Sequence, residues 1–280
     1  MRKWDSKKMK LKTFVPNLKR WIGRYVGQFA SVDPDIQAAL DLKLAHTRRV
    51  SDAAKDIGKS EGLFGEALHM AEVTALLHDI GRFEQFQKYK TFSDAKSEDH
   101  AALGVHVIQK EGILQSIEDE KAQIILEAVR CHNKAALPVT ENATGLFFMK
   151  LLRDADKVDI WYVVTDYYRR AHERRNETLE LNLPDAPWVS DAVCRSLMEG
   201  DIVQMKDMRT LNDFKLLQLG WIYDVNFKRT FEIVKERRYL EQIRGALPEK
   251  SIPIDAVYQR ALAYLDEKTG DTQTKKGAAP

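Results

Sequence analysis

Residues 76–81 read LLHDIG. Two leucines run straight into a histidine and an aspartate, groups that are costly to bury unless something pairs with them. The stretch ends a segment, Gly65 to Ile80, whose apolar residues predict a helix, and Gly81 is expected to stop it. Neighbours on a helix point about 100° apart. His78 and Asp79 can therefore face one point only if the backbone relaxes at the last turn. Asp79 also has two oxygens, enough to bridge two cations.

The flanking sequence is helical as well. Asp33 and Pro34 open a helix that runs to about Ile57, with Ile36, Leu40, Leu44 and Val50 among its apolar positions. Ser97 is expected to cap a third helix, SEDHAALGVHVIQK. EDEKAQIILEAVRCH reads as a fourth, followed by Pro138, and ATGLFFMKLLRDADKVDIWYVVTDYYRRAHERR as a long fifth. Weaker helical patterns fill 187–205, 211–243 and 252–267. Strand signals are sparse, so the expected fold class is all-α. Residues 84–97, with Phe86, Tyr89 and Phe92, read as a loop that either stacks on a base or packs on itself.

Composition narrows the function. The chain has 280 residues, 44% hydrophobic and 31% charged, enough for a substantial core. Its net charge of +2 carries no global nucleic-acid signature. Residues 1–24 hold nine Lys or Arg against the single Asp5, which fits a solvated basic arm or an anionic partner. No apolar stretch follows these basic residues, no segment approaches a membrane span, and Cys131 and Cys194 lie far apart. The expectation is a cytoplasmic chain with reduced cysteines and no membrane partner.

His46, His78, Asp79, His100, His132 and Asp156 each lie in or beside an apolar stretch. A buried carboxylate needs a partner, and a cation bound by imidazole and carboxylate is one. Asp154 lies two residues from Asp156, about 200° around the helix, so only one of them faces such a site. Asp159, one turn on, is either an orienting partner for a ligand histidine or a surface ion pair. His69 and His106 point away from their neighbours His78 and His100, and His172 sits in a charged run.

In this order the six residues resemble the HD superfamily of metal-dependent phosphohydrolases, whose signature is H…HD…D. His46, His78-Asp79 and Asp156 match it, and His100 and His132 stand where the two-metal branch has two further histidines. The stretch LLHDIGRFEQFQKYKTFSDAKSEDHAALGVHVI is similar to small stand-alone bacterial HD proteins. The resemblance covers about residues 40–165. It implies an HD-domain helical bundle with additional C-terminal helices, a metal-binding core at 31–180 with accessory helices at 181–266 packed on it as one domain. The charge run sets apart a basic arm and helix at 1–30, and the polar composition of EKTGDTQTKKGAAP a disordered tail at 267–280.

The resemblance also implies phosphoester hydrolysis by a metal-bound hydroxide at a dinuclear site, with Asp79 as the bridge. The cofactor would be two divalent transition metals per chain (Mn, Fe or Ni, with Zn or Mg as alternatives). Arg49, Arg82 and Lys96 are the expected phosphate-binding cations, with Lys157 and Asp94 beside them. The substrate would be a nucleotide or another small phosphoester. No GYP tripeptide is present, which argues against cyclic dinucleotides, and ADKVDIW departs from the alarmone hydrolases. Trp188, Trp221, Tyr223 and Phe227 belong to the pocket, to packing or to a homodimer face. Two alternatives stay open: a mixed-valent di-iron oxygenase of the superfamily, which uses the same six ligands, and a non-catalytic nucleotide sensor, a role that usually goes with degenerate ligands, whereas all six are present here.

Overall fold

Asp33 accepts hydrogen bonds from the backbone N–H of Asp35 and Ile36, and Pro34 occupies the first turn, so α2 (Pro34–Ser60) starts where the sequence predicts. The computed structural model describes residues 8–170 and 180–270. Among these, every regular element is helical and none is a strand. No helix among them is long and apolar enough to cross a membrane.

The chain divides into two compact units, Met1–Asp159 and Ile160–Pro280. The division falls inside one continuous helix, α7 (Ala143–Arg170). In the first unit, α3 (Gly65–Leu77) is the central element. Its residues Met70 to Leu77 are all buried, as expected for a helix that is apolar on most faces. α1 (Leu11–Gly27), α2 and α6 (Asp119–Cys131) pack around it, and α4 (Gly81–Tyr89) pairs with α5 (His100–Lys110). α1 buries Leu11, Phe14, Leu18, Trp21 and Tyr25 and turns Lys12, Arg20 and Arg24 outward. Arg2, Lys3 and Lys7 lie outside the described residues, as does His172.

The second unit contains α8 (Asp191–Glu199), α9 (Leu211–Gly220), α10 (Lys228–Glu236), α11 (Tyr239–Gly245) and α12 (Ile252–Thr269). All ten residues of α9 are buried, and a reciprocal cap between Thr210 and Asp213 opens it. The 211–243 pattern is thus three helices, interrupted by a 3-10 turn at Trp221–Asp224 and by Arg238 in left-handed backbone (φ 54°). Trp161 stacks on Tyr239 and lies 6.2 Å from Trp221, which places those aromatics in packing. Trp188 is exposed. α12 runs to Thr269, beyond the expected start of the tail, and residues 271–280 lie outside the described residues.

Three local expectations change. α5 is capped by Asp99, whose side chain accepts from Ala101 and Ala102 N–H, and not by Ser97. The segment 84–97 is not one loop: it continues α4 to Tyr89 and ends in a 3-10 turn, Asp94–Lys96. Gly81 does not stop α3. It begins α4, and its role is close approach, because a Cβ there would overlap the His100 carbonyl oxygen and stand 2.5 Å from the Gly104 nitrogen.

Gly81→Ala should therefore destabilise the protein by about 2–3 kcal/mol in urea titrations, since backbone on the neighbouring helix must shift. Gly23→Ala, at an exposed α1 position with open space around it, should instead stabilise by about 0.5–1 kcal/mol.

Candidate metal centre

His46 lies midway along α2, His78 follows the last residue of α3, and Asp79 sits in the turn before α4. His100 opens α5, His132 follows α6, and Asp156 lies on α7. The structure brings all six together in the first unit. His46 Nε2 is 3.2 Å from His78 Nε2, 3.1 Å from Asp156 Oδ1 and 3.5 Å from Asp79 Oδ2. On the other side of Asp79, His100 Nε2 is 2.9 Å from His132 Nε2. Asp79 Oδ1 is 3.4 Å from the first of these and 3.8 Å from the second. One carboxylate thus joins two histidine pairs, one oxygen to each.

Each imidazole is held from behind through Nδ1. His78 Nδ1 donates to the Ala75 carbonyl and His132 Nδ1 to the Val129 carbonyl, both at 2.7 Å. These are last-turn carbonyls that a helix end leaves without an amide partner. A carbonyl oxygen can only accept, so the proton of each neutral ring sits on Nδ1 and the Nε2 lone pair faces inward. His46 Nδ1 meets Asp159 Oδ2 and His100 Nδ1 meets Asp94 Oδ2, both at 2.6 Å. His100 and His132 therefore present two acceptors to each other at 2.9 Å, an arrangement that a cation between them would satisfy. His46, His78 and Asp156, and separately His78, Asp79 and His132, have ligand atoms close enough to share one ion.

Electrostatics follow the same lines. Burial pushes the His78 and His100 imidazoles down to about 4. Burial also lowers His46, but hydrogen bonds to Asp156 and Asp159 outweigh it and the net shift is upward. Asp79 and Asp156 are buried, which by itself raises a carboxyl. Lys43 and the histidines hold Asp79 well below its usual range, and His46 does so for Asp156.

The expected phosphate-binding cations are placed differently from one another. Arg49 forks onto Asp159, with Nε at 2.5 Å and a terminal nitrogen at 3.0 Å. Asp159 is thereby the orienting partner of His46, not a surface ion pair. Arg82 is fixed by Gln85, the Phe92 carbonyl and Asp94, with its Nε 3.4 Å from Asp79 Oδ1. Lys96 is exposed in the 3-10 turn, and Lys157 is buried. Asp94 holds His100 and Arg82 together, with Asn133 also donating to it at 3.2 Å. Phe86 and Phe92 stack on each other at 4.5 Å, while Tyr89 lies exposed under Lys88. His69 bonds its own helix at the Gly65 carbonyl, His106 is exposed, and Asp154 is buried. Cys131 and Cys194 are free thiols.

Sequence reasoning missed Lys43, whose Nζ lies 2.9 Å from Asp79 Oδ2. The available signal was its position three residues before His46, on the same side of α2.

Residues 44–161 match the HD-domain family model, a range that opens just before His46 and closes just after Asp156. This part of the chain is an HD domain. The family is one of metal-dependent hydrolases, and the His/Asp groups of this HD domain have the composition and spacing to hold a metal. No curated protein and no solved structure matches the chain.

The metal-free protein should lose stability as pH falls from 6.5 to 4. His78 and His100 titrate near 6.5 when unfolded and about 4 when folded, so the unfolded chain binds more protons across that window. His46 works in the opposite sense, its contribution being lost as pH rises. Urea midpoints measured in chelator check the balance, and a midpoint that rises on acidification contradicts it.

Proposed function

We propose that the chain is a phosphohydrolase that holds two divalent transition-metal cations in its HD domain and cleaves the phosphoester of a nucleotide or similar small substrate. The supporting observation is the division of Asp79, with Oδ2 toward His46 and His78 and Oδ1 toward His100 and His132. In this reading His46, His78, Asp156 and Asp79 hold one cation, and His100, His132 and Asp79 the other. Nitrogen and oxygen ligands suit Mn, Fe, Ni or Zn and leave Mg as a weaker fit. When bound, such a pair lowers the pKa of water and offsets charge building on a phosphoryl group.

The chain's own groups keep the ligands ready. Asp159, anchored by Arg49, and Asp94, anchored by Arg82, each fix one imidazole with its lone pair inward. The Ala75 and Val129 carbonyls fix the other two. Four of the six ligand side chains are at most 4% exposed, so water reaches the centre mainly past Asp156, at 19%.

Metal analysis tests the assignment. Asp79→Ala should lose both cations and all phosphatase activity, while His100→Ala or His132→Ala should take the content from two toward one. Two metals per chain retained in His100→Ala would refute the second group. Asp159→Asn and Asp94→Asn should each weaken metal binding by about 10- to 100-fold, read by competition with a chelating dye. A panel of nucleotides and phosphoesters with each metal then tests the reaction. Oxygen uptake after aerobic iron loading, with no phosphate release, would favour the oxygenase. Nucleotide binding without turnover under any metal would favour the sensor.

A further inference from the structure

Three cationic side chains touch the carboxylates of this centre, and they differ in how firmly they are held. Arg49 is forked onto Asp159. Arg82 is held at three points by Gln85, the Phe92 carbonyl and Asp94. Lys43 has one hydrogen-bond partner, Asp79 Oδ2 at 2.9 Å, with the face of Phe92 5.5 Å away. Its side chain is 20% exposed, on a flexible four-carbon stem. Asp79 Oδ2 is also the oxygen directed at His46 and His78. A cation held by that histidine pair would take the oxygen to which the ammonium is bonded. That cation and the ammonium would compete for the oxygen and repel at such short range. Lys43, unlike Arg82 beside Oδ1, has no further hydrogen bond among the described residues to hold it, so its ammonium is the group that turns to another anion.

Formal charge points the same way. Lys43, Arg49 and Arg82 stand against Asp79, Asp94, Asp156 and Asp159, a deficit of one positive charge. Two divalent cations would turn that into an excess of three. Such a centre favours a ligand with more than one negative charge. A phosphomonoester carries about 1.5 to 2 negative charges at neutral pH on three terminal oxygens. A phosphodiester carries one charge on two.

We propose that Lys43 selects the substrate: in the metal-loaded protein its ammonium leaves Asp79 and binds a terminal phosphoryl oxygen, which makes the substrate a phosphomonoester. The inference rests on the two-cation reading above and adds the substrate class to it. Lys43 becomes the cation for the third oxygen, an oxygen that a diester lacks.

The test uses the full chain loaded with manganese, in wild type, Lys43→Met and Lys43→Gln, with metal content measured on each. Calorimetric titration with inorganic phosphate should show affinity about 10- to 100-fold weaker in both variants, the effect of one lost charged hydrogen bond. In kcat/KM, p-nitrophenyl phosphate should lose at least about tenfold more than bis-p-nitrophenyl phosphate, and Lys43→Arg should recover part of the loss. In chelator, Lys43→Met should melt below wild type, because Asp79 then loses its ammonium. Equal phosphate affinity in wild type and variants, at equal metal content, overturns the proposal while leaving the hydrolase reading intact. So does an unchanged monoester-to-diester ratio. Lys43-dependent phosphate binding with hydrolysis of neither ester supports the Lys43 assignment and overturns the hydrolase reading instead.

Discussion

The inner nitrogens of four imidazoles and the oxygens of two carboxylates are turned toward one another inside the first unit. Where acceptor faces acceptor, as between His100 and His132, the groups repel. Each must be held from behind by a bond that also fixes its proton. The surrounding fold supplies four such bonds, and they come in two kinds. Two come from the open carbonyl ends of α3 and α6, which receive the Nδ1 protons of His78 and His132. The other two come from carboxylates, Asp159 and Asp94, and each is tied to an arginine. A helix end and a carboxylate do equivalent work here, because both offer an acceptor that cannot donate.

This accounts for the placement of the helices. α3 must end at Leu77 for His78 to find the Ala75 carbonyl, and α4 must start within three residues for Asp79 to turn inward. The HDIG turn stays in right-handed backbone at His78 and Ile80, so the chain passes from one helix to the next with little room. Gly81 is then forced by α5, whose first turn lies against it and carries His100. The missing side chain at Gly81 lets the first turn of α5, with His100, lie directly against the HDIG turn.

The all-helical architecture was legible in residue type and periodicity, while the six converging side chains were picked out by their apolar settings together with their match to the family's ordered signature, which also chose Asp156 over Asp154. The partners were less legible. Helix spacing on α7 left Asp159 either an orienting partner of a ligand histidine or a surface ion pair; that it meets His46 and Arg49 depends on how α2 and α7 meet, and no local pattern encodes that. Asp99 and Ser97 are equally good caps by type, and the structure chose Asp99, which Asn133 and Lys134 also hold. Gly81 read as a stop because glycine after an apolar run usually is one. Close approach of a distant helix leaves the same mark. The breaks inside 211–243 carry no proline, so the apolar pattern ran through them unmarked.

The two groups around Asp79 are unequal in a way that bears on chemistry. The first has Asp156 as a second carboxylate, with Asp156 Oδ1 3.1 Å from His46 Nε2 and 3.8 Å from His78 Nε2. The second has only Asp79, since Asp94 is turned to the Nδ1 side of His100 and committed to Arg82 and Gln85. A centre with fewer protein ligands keeps positions for exchangeable ones. The histidines are sealed while Asp156 and Lys43 are partly open, so a carboxylate and an ammonium form the accessible edge of the centre. Arg82, held at three further points, lies beside one oxygen of Asp79 and Lys43 is bonded to the other, and both cations favour the charged carboxylate.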